Sequence, residues 1–112
     1  MINTKFQSCM EACQECAVAC SQCLDACLGE DNVKKMAECI RLDRDCANIC
    51  HTSVAFMASN SQFIGPVCEL TARMCDACAE ECDKHEHEHC KQCAEACRRC
   101  AEECRKMASM AA

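Results

Sequence analysis

At 112 residues the chain has the size of one domain, expected to span residues 1–112, and is too short for two independent cores. Eighteen residues are Cys, against three Phe, no Trp, no Tyr, two Gly and one Pro, which leaves little turn chemistry for a sheet or a loop-rich fold. The net charge of −6 comes from interleaved acids and bases; the lack of a basic stripe and of stacking side chains excludes a nucleic-acid partner, and the lack of a long apolar run excludes a membrane span.

Most other positions are strong helix formers, and four helices are expected. The first runs roughly from Thr4 to Leu28 and closes at Gly29, a C′ candidate. Its cysteines, Cys9, Cys13, Cys16, Cys20, Cys23 and Cys27, step by four, three, four, three, four. That spacing keeps all six on one face over ~27 Å of helix. The second starts after Asp31 or Asn32, either a good N-cap, and continues to about Ser59. It carries fewer thiols: Cys39, Cys46 and Cys50 are expected to share its inner side with Leu42, Ile49 and Phe56. Ile40, Ala47 and Val54 form an extra outward stripe, a candidate interface.

The third helix begins near Pro66, suited to a first helical turn, and fades near Lys84. It holds register at Cys68, Cys75, Cys78 and Cys82, with Thr71 in the missing slot. The fourth runs from about Glu88 to Met107 and carries Cys90, Cys93, Cys97, Cys100 and Cys104. The runs from Cys13, Cys75 and Cys90 look like variants of one repeat. Short connections make neighbours antiparallel. The expected fold is therefore all-α: an antiparallel up-down-up-down four-helix bundle with a Cys-lined core, its seam positions filled by Cys where Leu or Ile is usual. The run Met1-Ile-Asn-Thr-Lys-Phe6 has no signal-peptide core, so a cytoplasmic location with reduced or metal-bound thiols is expected.

Packing alone is a poor account of 18 thiols, because Cys offers little apolar area. Disulfides also fit badly, since side chains three or four apart on a helix project nearly in parallel. Thiolates one turn apart can grip or bridge a soft ion, and facing rows would form a sulfur-lined tube. Each bound thiol becomes an anion in a dry core, so charge selects the ion. One monovalent ion per bridging thiolate leaves the core neutral. Zn(II) with four thiolates leaves each site at −2 and wants closed tetrahedral sites. Iron–sulfur clusters use looped Cys spacings that are absent here. Multiple Cu(I) ions, about one per Cys, fit best. A zinc or soft-metal buffer of the metallothionein kind and an iron–sulfur electron-transfer protein are the alternatives. No paired carboxylates, Ser-His-Asp set or phosphate loop points to an enzyme.

The row from Cys9 to Cys27, the segment Ile40-Arg-Leu-Asp-Arg-Asp-Cys46 with Cys50, and Lys84-His-Glu-His-Glu-His-Cys90-Lys-Gln-Cys93 resemble the bacterial copper storage proteins over essentially the whole chain. The resemblance implies a bundle that fills its core with Cu(I), and a homotetramer; the missing leader implies the cytosolic branch. A copper donor or acceptor is the implied partner.

Antiparallel topology makes the two bundle ends unlike. His85, His87 and His89 fall at one end, beside Cys27, Cys82 and Cys90, with Met36 nearby. They are either transient copper ligands at a mouth or a solvated turn. Phe6, Phe56 and Phe63 gather at the other end with Ile64 and Met107, as a hydrophobic plug. Asp43, one turn from Cys39 and Cys46, is either an inward carboxylate that helps bind an ion or a surface salt-bridge partner. His51 is expected on the surface, and Met10, Met74 and Met110 as gap-filling apolar residues.

Overall fold

The computed structural model describes residues 4–111. A 3-10 turn at Thr4–Phe6 leads into α1 (Gln7–Leu28), and a second one at Val33–Met36 leads into α2 (Ala37–Ala58). The remaining helices are α3 (Ile64–Cys82) and α4 (Glu88–Ala111). Helix α1 packs on α2 and α4, and α3 packs on the same two, giving the up-down-up-down bundle, 48 × 22 × 17 Å. Among the described residues no helix is long and apolar enough to cross a membrane.

The helix ends have local causes. Gly29 closes α1 with right-handed backbone, φ −90°, so its conformational freedom is not used there. Asn32 precedes a tight 3-10 turn and makes no side-chain cap, which delays α2 until Ala37. Helix α2 ends in a left-handed residue, Asn60, φ 52°, with Ser61 N–H reaching back 3.0 Å to Phe56 O. Asn tolerates that region better than most side chains. Pro66 lies in the first turn of α3, where its missing N–H costs nothing. Helix α4 runs on past Met107 to Ala111, through good helix formers.

All 18 cysteines are fully buried, and they form most of the core. The inner side of α2 differs from the expected one. Cys39, Asp43, Cys46, Cys50, Ser53 and Met57 point inward, while Leu42, Ile49 and Phe56 are half-buried at its flank. The proposed outward stripe is not outward either: Ala47 is buried, and Ile40 and Val54 pack against the core. The seam keeps the four, three spacing through polar residues because register, not hydrophobicity, decides which positions face inward.

The plug end also needs correction. Phe6, Met57, Ile64 and Met107 are buried there, whereas Phe63 is 56% exposed at the N-terminus of α3. Met10 and Met74 are half-buried gap fillers, while Met110 and His51 are exposed. On the surface, Arg99 pairs with Glu15, Arg105 with Asp76 and Arg98 with Asp83, tying α4 to its neighbours. Exposed pairs of this kind contribute little each, up to ~1 kcal/mol.

Candidate metal centre

The sulfurs form one connected array along the bundle axis. Near the plug, Cys104 lies 3.7 Å from both Cys9 and Cys13, and Cys13 lies 3.6 Å from Cys100. In the middle, Cys16 is 3.8 Å from Cys46, 3.9 Å from Cys75 and 3.7 Å from Cys97, and Cys46 is 3.4 Å from Cys75. Farther on, Cys20 is 3.6 Å from Cys93, and Cys39 is 3.7 Å from Cys82. At the far end Cys27 is 3.9 Å from Cys23 and from Cys39, and Cys23 is 3.9 Å from Cys90. None of the 18 thiols is in a disulfide.

These separations suit metal bridging. With a metal–thiolate bond of roughly 2.3 Å, sulfurs 3.4–3.9 Å apart hold an ion at an S–metal–S angle of roughly 95–115°. Opening the pair by a few tenths of an ångström reaches a trigonal angle. Foursomes whose sulfurs lie within 4.8 Å of one another overlap: Cys16, Cys20, Cys46 and Cys97 share members with Cys16, Cys46, Cys50 and Cys75 and with Cys20, Cys78, Cys93 and Cys97. Isolated tetrahedral zinc sites each take four ligands of their own. A run of bridged, low-coordinate ions shares them.

Asp43 is the inward carboxylate of the two alternatives. It is fully buried, with Oδ1 3.2 Å from Cys93 Sγ and 3.3 Å from Cys78 Sγ, and Oδ2 3.8 Å from Cys39 Sγ. Burial, then the neighbouring Cys93 and Cys78 sulfurs, push its pKa up to about 11, so it is a neutral acid in the metal-free core. Burial likewise pushes up the Cys27 thiol, and the Cys90 thiol to about 12. At this end of the metal-free core the thiols therefore carry protons that a metal must displace.

The three histidines at this end have distinct surroundings. His89 Nδ1 faces the sulfurs of Cys23 and Cys90 at 3.4 and 3.6 Å, and its Nε2 lies 2.8 Å from Glu30 Oε2. The carboxylate fixes the proton on Nε2 and leaves the Nδ1 lone pair aimed at the thiols, as for a metal-ligating His with a carboxylate behind it. His87 stacks on His89 with ring centroids 5.2 Å apart and also faces Glu30. His85 Nε2 is 3.0 Å from Glu81 Oε2, in a depression it shares with Met36, His87 and Glu30. His89 thus contacts thiols, whereas His85 and His87 line the outer depression. Met36 is buried one turn before Cys39.

Three features have weak sequence signals. Glu30 and Glu81 are unremarkable acids until the fold brings Glu30 to His89, 59 residues away. Ser53 is fully buried and follows Cys50 by three, so the seam spacing itself marks it. Among the described residues, the buried polar Asp43, Ser53 and Thr71 occupy seam slots that the other helices give to Cys.

Comparison with known proteins agrees with this geometry. A family profile described as copper storage protein matches residues 2–109. The structure of Cu(I)-bound copper storage protein BsCsp3 is 48% identical, with a TM-score of 0.88, covering 91% of this chain and 96% of that one. A cytosolic copper storage protein from Streptomyces lividans, seen with five coppers, is 39% identical, with a TM-score of 0.88, covering 93% and 92%. An uncharacterised cysteine-rich protein of Bacillus subtilis, YhjQ, is 48% identical over 66 residues, so that the match spans 59% of this chain and 61% of that relative.

Proposed function

The chain belongs to the copper storage protein family, and from that premise we propose that it stores many Cu(I) ions on its 18 core thiolates, about one per Cys. The observation that carries this reading is the overlap of the sulfur foursomes. Shared sulfurs favour bridged monovalent ions, whose charge cancels that of the thiolates in a dry core. Separate zinc or iron–sulfur sites would need sulfurs that each serve one centre.

Copper is admitted at the histidine end. His89 takes the ion with Cys23 and Cys90, His85, His87 and Met36 shape the approach, and Asp43 is an accessory oxygen ligand deeper in the tube. From there copper moves by exchange between neighbouring thiolates. The whole chain acts as one storage unit in the cytoplasm, exchanges copper with a donor or acceptor protein, and assembles as a homotetramer. These last points rest on the family resemblance and on the Streptomyces lividans relative described as cytosolic.

Anaerobic titration of the reduced protein against a chromophoric Cu(I) chelate tests the reading. Uptake should continue to a break near one Cu(I) per Cys. A break near one metal per four Cys, with zinc preferred, would sink it.

A further inference from the structure

The seam is not uniformly sulfur, and its gaps are not alike. Helices α1 and α4 present unbroken Cys rows, from Cys9 to Cys27 and from Cys90 to Cys104. The gaps fall on α2 and α3. Asp43 touches four thiols and has a ligand atom to offer. Ser53 and Thr71 instead touch each other across the α2–α3 side, with Ser53 Oγ 2.5 Å from Thr71 Oγ1.

The direction of their hydrogen bonds follows from the third partner. Thr71 Oγ1 lies 2.7 Å from the Val67 carbonyl oxygen, which can only accept, so the Thr71 hydroxyl donates there. Ser53 must then donate to Thr71. Both hydroxyl protons are committed within the chain Ser53 to Thr71 to Val67, and neither is free for a thiolate. A neutral alcohol oxygen is a hard, weak donor to Cu(I), and ionising it in a dry core is costly.

The pair sits between Cys68 on one side and Cys50 and Cys75 on the other, along α2 and α3. Cys68 has Cys104 and Cys9 as its sulfur neighbours, with Cys13 beyond, all on α1 and α4. Cys50 and Cys75 lie instead against Cys16, Cys46 and Cys100. The plug-end thiols connect to the rest through Cys13 and Cys100, which lie 3.7 and 3.9 Å from Cys104.

We propose that the Ser53–Thr71 hydroxyl pair excludes copper from the α2–α3 side of the core, so that Cys9, Cys68 and Cys104 form a terminal compartment filled last, through Cys13 and Cys100. This rests on storage and on admission at the histidine end. The pair sets both a capacity limit and an order of filling.

Three variants test it by Cu(I) titration and stopped-flow uptake, with circular dichroism to check that each remains helical. The parent plateau, near one Cu(I) per Cys, checks storage independently. Ser53→Cys with Thr71→Cys completes the seam and should raise the plateau by about two Cu(I) per chain. Ser53→Ala with Thr71→Val removes both hydroxyls and should leave the plateau where it is. Cys68→Ser should superimpose on the parent through the first half of uptake and lower only the final plateau. A lower plateau in the Ala/Val variant would make the hydroxyls ligands and overturn the proposal. So would a parent that loads fully while the double-Cys variant gains nothing, or a Cys68→Ser variant slowed from the first mixing.

Discussion

Asp43 holds its proton where an exposed carboxylate would have lost it, and the cause is burial among thiols. In the unfolded chain it ionises near pH 4, whereas in the folded metal-free protein it stays neutral to about pH 11. Its contribution to stability is thus complete below about pH 4 and declines as pH rises through that interval. Asp43→Asn removes the titration. The metal-free variant should gain on the parent by about 1.4 kcal/mol for each pH unit between pH 4.5 and pH 8. Reducing urea denaturation at both pH values measures this, and a stability difference independent of pH would count against it. His89 gives a kinetic counterpart. His89→Ala should slow the first phase of copper uptake several-fold with little change in final loading, and Glu30→Gln should slow it less, because it only loosens the tautomer. Equal rates for His89→Ala and parent would leave His89 as a surface residue.

Helix by helix, legibility follows thiol density. Six cysteines in α1 and five in α4 repeat the four, three spacing often enough to define the inner face without ambiguity. Helix α2 has three, and two faces compete: one with Leu42, Ile49 and Phe56, the other with Asp43 and Ser53. Hydrophobicity favours the first, but continuing the thiol register selects the second, and packing follows the register. Glu30 could not be read at all, because its partner is distant in sequence and brought near only by the turn between helices. The plug shows the same limit: aromatic character suggests Phe63, yet at the N-cap of α3 it stays exposed while the next residue, Ile64, takes the buried place. Phe6→Ala should therefore cost about 3–5 kcal/mol, while Phe63→Ala should stay within about 0.5 kcal/mol. Thermal unfolding of the metal-free variants separates the two, and similar losses would restore Phe63 to the plug.

For the molecule as a whole, protons and copper compete for one set of sulfurs. Burial holds thiols such as Cys27 and Cys90 protonated when metal-free, and each Cu(I) bound by such a thiol should release about one proton at neutral pH. Stopped-flow mixing in weak buffer with a pH indicator would count them, and uptake without proton release would mean that the thiols were already ionised. The metal-free bundle should already be helical, because its helix propensity is high and neutral Cys packs as a small apolar residue. Copper binds the native arrangement and should raise the melting temperature by about 10 °C or more. A random-coil spectrum without metal would show instead that copper drives folding.

The sulfur array is closed by the two ends of the chain: Cys9 meets Cys104 across 95 residues of sequence, and 11 of the 18 thiols lie on the first and last helices. During synthesis the six cysteines of α1 leave the ribosome first, and the partners that cover them leave last. Until α4 docks, those thiols are open to oxidants and to any passing soft ion. Newly made chains are therefore the vulnerable form, and the bundle protects its cargo sites only once α4 has docked.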